Sequence, residues 1–284
     1  MRGGWRQRSN ACAVLLSKLQ LDILRLLASH RDPESSVAGS AYLTRGGPRS
    51  SADIDIFRDR EDRVARAAEE DAGVLRAAGL NAAWQRREPT FYQAIVSRDG
   101  ESTRLEWVVD SDFRFFPTQR DDVFGYVLHP VDLATNKAMA AAGRREPRDI
   151  VDLIMIHRDI LPVGTVVCAA VEKALGFTPE GLINEIRRLR RYTASDFERV
   201  ASDPPVDPVA VMIALQSALD EAEEFISKMP SDKIGLLFLK DGKVVQPDPG
   251  RLDDYATHAG VRRGHWPSSS QIGSAMLDRY VRPS

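Results

Sequence analysis

The chain has little of what would announce a specialised class. Only two cysteines occur in 284 residues, Cys12 and Cys168. They lie far apart and match no metal-ligand spacing, so both read as reduced thiols and a disulfide-stapled fold is excluded. No apolar run approaches the roughly 20 residues that cross a bilayer. Arg2, Arg6 and Arg8 precede a stretch, 10–27, that is interrupted by Lys18, Gln20, Asp22 and Arg25. That pattern predicts an amphipathic helix rather than a signal peptide, and the expected compartment is the cytoplasm. Neither sign of charge dominates: 39 Lys and Arg stand against 41 Asp and Glu, a formal net charge of -2. A nucleic-acid contact would therefore have to come from a local patch. No internal repeat is visible.

What is present is an ordinary globular composition, 43% hydrophobic and 28% charged, at a length that supports one large domain or two modest ones. Leu15, Leu16, Leu19, Ile23, Leu26 and Leu27 share one helical face and predict a helix over 10–29. A short strand over 35–40 ends in Gly39-Ser40, and 52–57 alternates as a strand with one face on the core. A charged, Ala-rich helix is predicted over 61–78, with Gly79 as its stop. Strands are predicted near 81–86, 91–97 and 103–109, with Asp99-Gly100 as a hairpin turn. From His129 the pattern turns helical: 130–142, 147–159 (Pro147 near its start), 166–175, 178–192 and 207–228. A hairpin over 233–246 would turn at Asp241-Gly242. Residues 247–284 read as loop, a short helix near 271–281, or partial disorder. The fold class expected is α+β, with segments 1–125 (α+β), 126–246 (mainly helical) and 247–284 (a loop-rich tail).

The chemistry concentrates in 37–57. Gly39-Ser40 closes an apolar strand, Arg49, Ser50 and Ser51 form a polar lead-in, and Asp53 and Asp55 sit two apart on the next strand. Side chains at i and i+2 of a strand point the same way. Two carboxylates so close repel unless a cation lies between them. Mg²⁺ prefers carboxylate oxygens together with nucleotide phosphates, and metals held this way activate an attacking oxygen and stabilise leaving pyrophosphate. Gly39 lets the backbone approach phosphates, and the Ser40 hydroxyl can cradle them. An Asp-x-Asp alone is common and is usually a solvated strand face; the upstream Gly-Ser end and the Arg-Ser-Ser-Ala lead-in distinguish this one.

Gly39-Ser40, a spacer, then Arg49-x-Ser51-x-Asp53-Ile54-Asp55 resembles the first motif of nucleotidyltransferases related to DNA polymerase β. More narrowly, the chain resembles the AbiEii/AbiGii toxin family, which includes the MenT toxins. The second matching stretch runs from His129 to Leu153, a helix with Lys137 followed by Arg148-Asp149-x-x-Asp152-Leu153. Together the two cover roughly 35–160, and their order is fairly specific. The resemblance implies a polymerase β-type catalytic domain, a mixed twisted sheet with flanking helices, completed by a mainly helical half. It implies Asp53, Asp55, Lys137 and Asp152 as catalytic residues, and Gly39, Ser40, Arg49, Ser51 and Lys137 as nucleotide ligands.

The residues of the second stretch read compatibly. Lys137 lies on a helix of small side chains and suits a triphosphate, although an exposed helical lysine would look the same. Asp149 and Asp152 share a helical face; Asp149 reads as a cap or a partner of Arg148 or Arg145, and Asp152 as a support for Lys137 or the nucleotide. A third metal-binding carboxylate is usual on a later strand of the superfamily; Glu106 is the better candidate and Asp110 the substitute. Arg144, Arg145 and Arg148, with Arg187, Arg188, Arg190 and Arg191, form two runs that either bind an RNA backbone or pair with Glu185, Asp196 and Glu198. His129, His157, His265 and Cys168 read as structural or surface groups.

The expected activity is Mg²⁺-dependent transfer of a nucleoside monophosphate from an NTP. The resemblance implies the 3′ end of tRNA as acceptor and a cognate antitoxin as partner. Transfer to an aminoglycoside-like small molecule or a protein hydroxyl, and a non-catalytic binding protein that keeps the fold, are the alternatives.

Overall fold

A computed structural model describes residues 16–38, 51, 53–173, 176–189, 191–262 and 269–277. The elements used below are, in chain order, α1 (Lys18–Ala28), β1 (Ser35–Ala38), β2 (Asp53–Arg58), α2 (Glu61–Ala77), β3 (Asn81–Glu88), β4 (Phe91–Arg98), β5 (Glu101–Val109), β6 (Phe113–Arg114), β7 (Gln119–Asp121), β8 (Gly125–Val127), α3 (Pro130–Gly143), α4 (Pro147–Asp159), α5 (Val163–Ala170), α6 (Pro179–Leu189), α7 (Ala194–Phe197), α8 (Pro208–Ser227), β9 (Leu236–Lys240), β10 (Lys243–Val245), β11 (Ala256–Ala259), β12 (Val261–Arg262) and α9 (Ser274–Leu277). The fold is α+β.

Seven strands form the main sheet in the order β3-β4-β5-β2-β1-β8-β7. It is mixed: β2–β5 and β1–β8 are parallel, the other pairs antiparallel. Ile54 and Ile56 of β2 are fully buried, in one core with Leu19, Ile23, Leu24 and Leu27 of α1 and Val64, Ala68, Ala72 and Leu75 of α2. The period-2 alternation of β2 therefore leaves Asp53 and Asp55 on the opposite face. The β4–β5 hairpin turns at Asp99 (φ 53°) and Gly100 (φ 83°), the left-handed pair that a two-residue type I′ turn demands. Gly79 ends α2 at φ 80°.

Helix α1 is fastened beside β2. Ser17 and Gln20 form a capping box, and the Gln20 amide also donates to the Ser51 carbonyl (2.9 Å) and the Thr103 hydroxyl (3.2 Å). One side chain thus caps the helix and ties it to the residues flanking the acidic strand. The expected stripe faces this core, with Leu16, Leu19, Ile23 and Leu27 buried and Leu26 packed half-buried against it; Leu24, which was not expected, is buried as well. Leu15 and the start of the expected helix lie outside the described residues.

The second core is helical. Val131, Ala134 and Ala138 of α3, Ile150 and Leu153 of α4, Val166 and Val167 of α5, and Leu215 and Leu219 of α8 form it. The α5–α8 crossing is close because position 164 has no side chain: a Cβ on Gly164 would sit 2.9 Å from the Phe225 ring and 3.1 Å from Ala222 Cα. The β9–β10 hairpin turns at Asp241 and Gly242, both at positive φ.

Three expectations change. The segment between β5 and α3 contains β6, β7 and β8, whose two or three residues each are too short to show a period. The expected break at 125/126 falls inside β8. Within the described part of the tail, β11 pairs with β9 and β12 pairs with β6, strands the loop composition does not suggest, while α9 occupies part of the expected 271–281 helix. An open edge of β9 supplies the hydrogen-bonding partner that the tail's own sequence does not advertise. Among the described residues, no single helix is long and apolar enough to cross a membrane.

Candidate active site

The parallel pairing of β2 with β5 sets the site's acidic face. Its register places Asp53 beside Arg104 and Asp55 beside Glu106. The alternation that sends Leu105 and Trp107 into the core leaves Arg104 and Glu106 on the same face as the two aspartates. Glu106, expected as a metal-binding carboxylate, thus stands next to Asp55. Asp110 does not: it lies beyond the end of β5, and its carboxylate accepts from the Asn136 amide at 3.0 Å.

Three carboxylates on one face are more negative charge than the neighbouring cation balances. Arg104 donates to Asp53, and its Nε lies 3.2 Å from a Glu106 oxygen. Gln93 of β4 also donates to Glu106, at 2.7 Å. Burial, then the Glu106 and Asp53 charges, push the Asp55 carboxyl up to about 6, against the pull of Arg148 and Lys137. The helical half therefore acts electrostatically on the middle carboxylate.

Lys137 reaches this position on α3, whose neighbours Ala134, Ala138 and Ala141 are small and buried. Its ammonium sits 2.7 Å from an Asp152 oxygen and 3.5 Å from Asp149. Asp149 accepts two hydrogen bonds from Arg144, at 2.6 and 3.1 Å. Burial pushes the Asp149 carboxyl up, but the Arg144 hydrogen bond and the Lys137 and Arg144 charges outweigh it and hold it below its ordinary value. The partner of Asp149 is thus Arg144, together with Lys137, in place of the expected Arg148 or Arg145: the turn after α3 folds Arg144 back onto α4. Asp152 is fully buried and holds the Lys137 ammonium. Support of Lys137 is one of the two roles expected for it.

Other expected residues fall as follows. The Ser51 hydroxyl donates to the Asp53 carbonyl at 2.8 Å and so braces the start of β2. Gly39, Ser40, Arg49 and Arg190 lie outside the described residues, as do Cys12 and His265. The arginines of α6 are paired: Arg187 with Asp220 and Glu223, Arg188 with Glu185. Their contribution to a positive RNA-binding surface is correspondingly reduced, because acids on α8 and on α6 itself meet them. Arg145 pairs with Asp196, donates to the Arg191 carbonyl and lies over the Tyr192 ring. Arg148 is half-exposed, with Glu146 no nearer than 3.8 Å. His129 caps α3: Nδ1 accepts from the Val131 amide, and Nε2 therefore donates to the Met276 carbonyl at 2.8 Å. His157 accepts from the Val163 amide. Burial pushes the Cys168 thiol up to about 12 and leaves it unreactive.

The sequence reading missed Arg104 and Gln93. Arg104 stands at i−2 from Glu106 on one strand, which was the available signal. Gln93 comes from the neighbouring strand and is visible only once the register is known.

The site offers hard oxygen donors and an excess of like charge on Asp55, a set that suits Mg²⁺. Among the described residues no group of three or more His, Cys, Asp or Glu side chains is placed to hold a metal ion by itself. An ion that takes part of its shell from substrate phosphates does not require one.

In class, this is an α+β protein with an acidic sheet face set against a braced helical lysine. A scan against protein-family models and a search of curated proteins found no match. The chain is similar in shape to MenT4, a nucleotidyltransferase toxin from Mycobacterium tuberculosis H37Rv, at 16% identity and a TM-score of 0.48, covering 76% of this chain and 84% of that one. It is similar also to JHP933 from Helicobacter pylori, at 16% identity and a TM-score of 0.45, covering 75% and 95%. At these identities and scores the likeness assigns no residue and no chemistry.

Proposed function

We propose that the chain is a nucleotidyltransferase that moves a nucleoside monophosphate from an NTP onto an acceptor hydroxyl, releasing pyrophosphate. One observation carries this reading. The β2–β5 register gathers Asp53, Asp55 and Glu106 on one face, and the charge of the Asp152-braced Lys137 acts on that face from the helical side.

Asp53 and Asp55, with Glu106 beside them, would hold Mg²⁺, which when bound neutralises the phosphates and polarises the α-phosphoryl group. Lys137 is the cation for the triphosphate. Asp152 and Asp149 fix its ammonium in advance of substrate. Arg148, half-exposed on the same side, adds a second positive charge. The acceptor oxygen attacks the α-phosphorus as the bond to pyrophosphate breaks. Gly39, Ser40 and Arg49 are assigned to the phosphates on the sequence motif alone.

We assign the acceptor to the 3′ end of tRNA and the role to the toxin of a cytoplasmic toxin–antitoxin pair. The resemblance of the two motif stretches to the AbiEii/AbiGii family supports this; of the α3–α4 arginines, Arg144 and Arg145 are paired with Asp149 and Asp196, and Arg148 is the one with no acid nearer than 3.8 Å. The test is incubation of purified protein with Mg²⁺, each α-labelled NTP in turn and total tRNA, beside Asp53→Ala. Label on tRNA with the wild type alone supports the assignment and names the base. Label on protein or on an aminoglycoside instead replaces the acceptor. No binding of Mg²⁺-NTP by the folded protein leaves a non-catalytic binding protein.

A further inference from the structure

Arg104 is the one cation on β2 and β5 that meets the acidic face directly. It stands beside Asp53 in the β2–β5 register and two residues before Glu106. Its guanidinium spans the two outer carboxylates, donating to Asp53 and lying against Glu106. Resting on the nucleotidyltransferase reading above, we propose that Arg104 is a built-in counter-ion that competes with the divalent metal for Asp53.

Three observations support an exchange over a permanent bond. First, the Arg104 side chain is 44% exposed; an ion pair so open to water is weak and easily traded. Lys137, by contrast, is closed in by two fully buried acids. Second, Glu106 keeps the Gln93 hydrogen bond when Arg104 leaves. The carboxylate left behind is therefore Asp53, the one the metal takes. Third, a single delocalised charge cannot satisfy three carboxylates, whereas a divalent ion adjacent to Asp53 and Asp55 removes more of the repulsion. Arg104 thus lets the acidic face fold without metal, and it raises the metal concentration needed to load the site.

The measurement is Mn²⁺ binding without nucleotide, read from the free-ion EPR signal, for wild type, Arg104→Gln, Arg104→Lys and Asp53→Asn. Arg104→Gln is expected to bind Mn²⁺ roughly threefold to tenfold more tightly than wild type, the range in which a single exposed ion pair changes an equilibrium. Arg104→Lys, which keeps the charge but lacks the fork that bridges two carboxylates, should fall between them. Asp53→Asn should lose the tight site. Equal or weaker Mn²⁺ binding by Arg104→Gln, with wild type binding normally, overturns the counter-ion role alone. No Mn²⁺ binding by folded wild type or either arginine variant, alone or with a non-hydrolysable NTP analogue added, overturns the metal reading itself, and this inference with it. If Arg104→Gln does not fold, the Arg104→Lys affinity decides: a value equal to or weaker than wild type overturns the proposal.

Discussion

On the helical side of the candidate site the two acids beside Lys137 are closed off with matching cations. Asp149 and Asp152 have no exposed side-chain surface, Lys137 is packed between them, and Arg144 completes the set with two hydrogen bonds to Asp149. On the sheet side three carboxylates share one face and a single, half-exposed arginine. The first arrangement is balanced; the second is short of positive charge, and its one cation is half-exposed. Burial gives the contrast its consequence. A charge removed from water is costly unless matched, and on the sheet side, where the carboxylates are largely buried, the imbalance shows as an Asp55 carboxyl pushed up to about 6. A balanced cluster serves to hold a side chain in place. An unbalanced one is suited to take up a cation from outside.

The largest expected effect comes from breaking the balanced side. Asp152→Ala leaves Lys137 with only the shared Asp149, and should cost about 3–5 kcal/mol in denaturant unfolding. A loss below about 1 kcal/mol would show that the pair is not the brace described.

Next comes His129, which the helical side buries neutral rather than paired. Burial lowers its pKa to about 4 from 6.5. Such a base stabilises the fold fully above pH 6.5 and loses that contribution as pH falls through about 4. The contribution is about 3 kcal/mol for a shift of this size. His129→Asn keeps a capping acceptor but does not titrate, so its unfolding free energy should fall less than that of wild type between pH 6.5 and 4. Parallel curves for the two proteins would remove His129 from the acid response.

Relief of the unbalanced side should be smaller and opposite in sign. Asp55→Asn removes one of two like charges on adjacent strands and should raise stability by about 0.5–1 kcal/mol while abolishing transfer. A loss of stability would mean that Asp55 is already matched. The smallest effect belongs to Arg188→Ala on α6. Its bond to Glu185 is solvent-exposed, so stability should move by under about 0.5 kcal/mol, and tRNA affinity little. A large drop in tRNA affinity would return α6 to the nucleic-acid surface.

Much of the fold was legible where the signal is local. Asp99-Gly100 and Asp241-Gly242 read as hairpin turns because two successive positive φ values demand such residues, and both turns are there. Gly79 read as a helix stop for the same reason. The short strands β6 to β8 and the tail strands β11 and β12 were not legible, since their pairing comes from partners distant in sequence. Within α1 the stripe was legible except for Leu24, which widens the buried face beyond the expected residues.

The candidate site divides in the same way. That Asp53 and Asp55 share a face, and that Asp149 and Asp152 share another, follows from the periods of strand and helix alone. That Glu106 and Arg104 stand beside the aspartates is decided by the parallel β2–β5 register, which no local pattern encodes. That Arg144, not Arg148, takes Asp149 is decided by the turn between α3 and α4. Periodicity decides which side chains point together; only the packed chain decides which charges meet, because Coulomb interactions act over ångströms in space, whatever the separation along the chain.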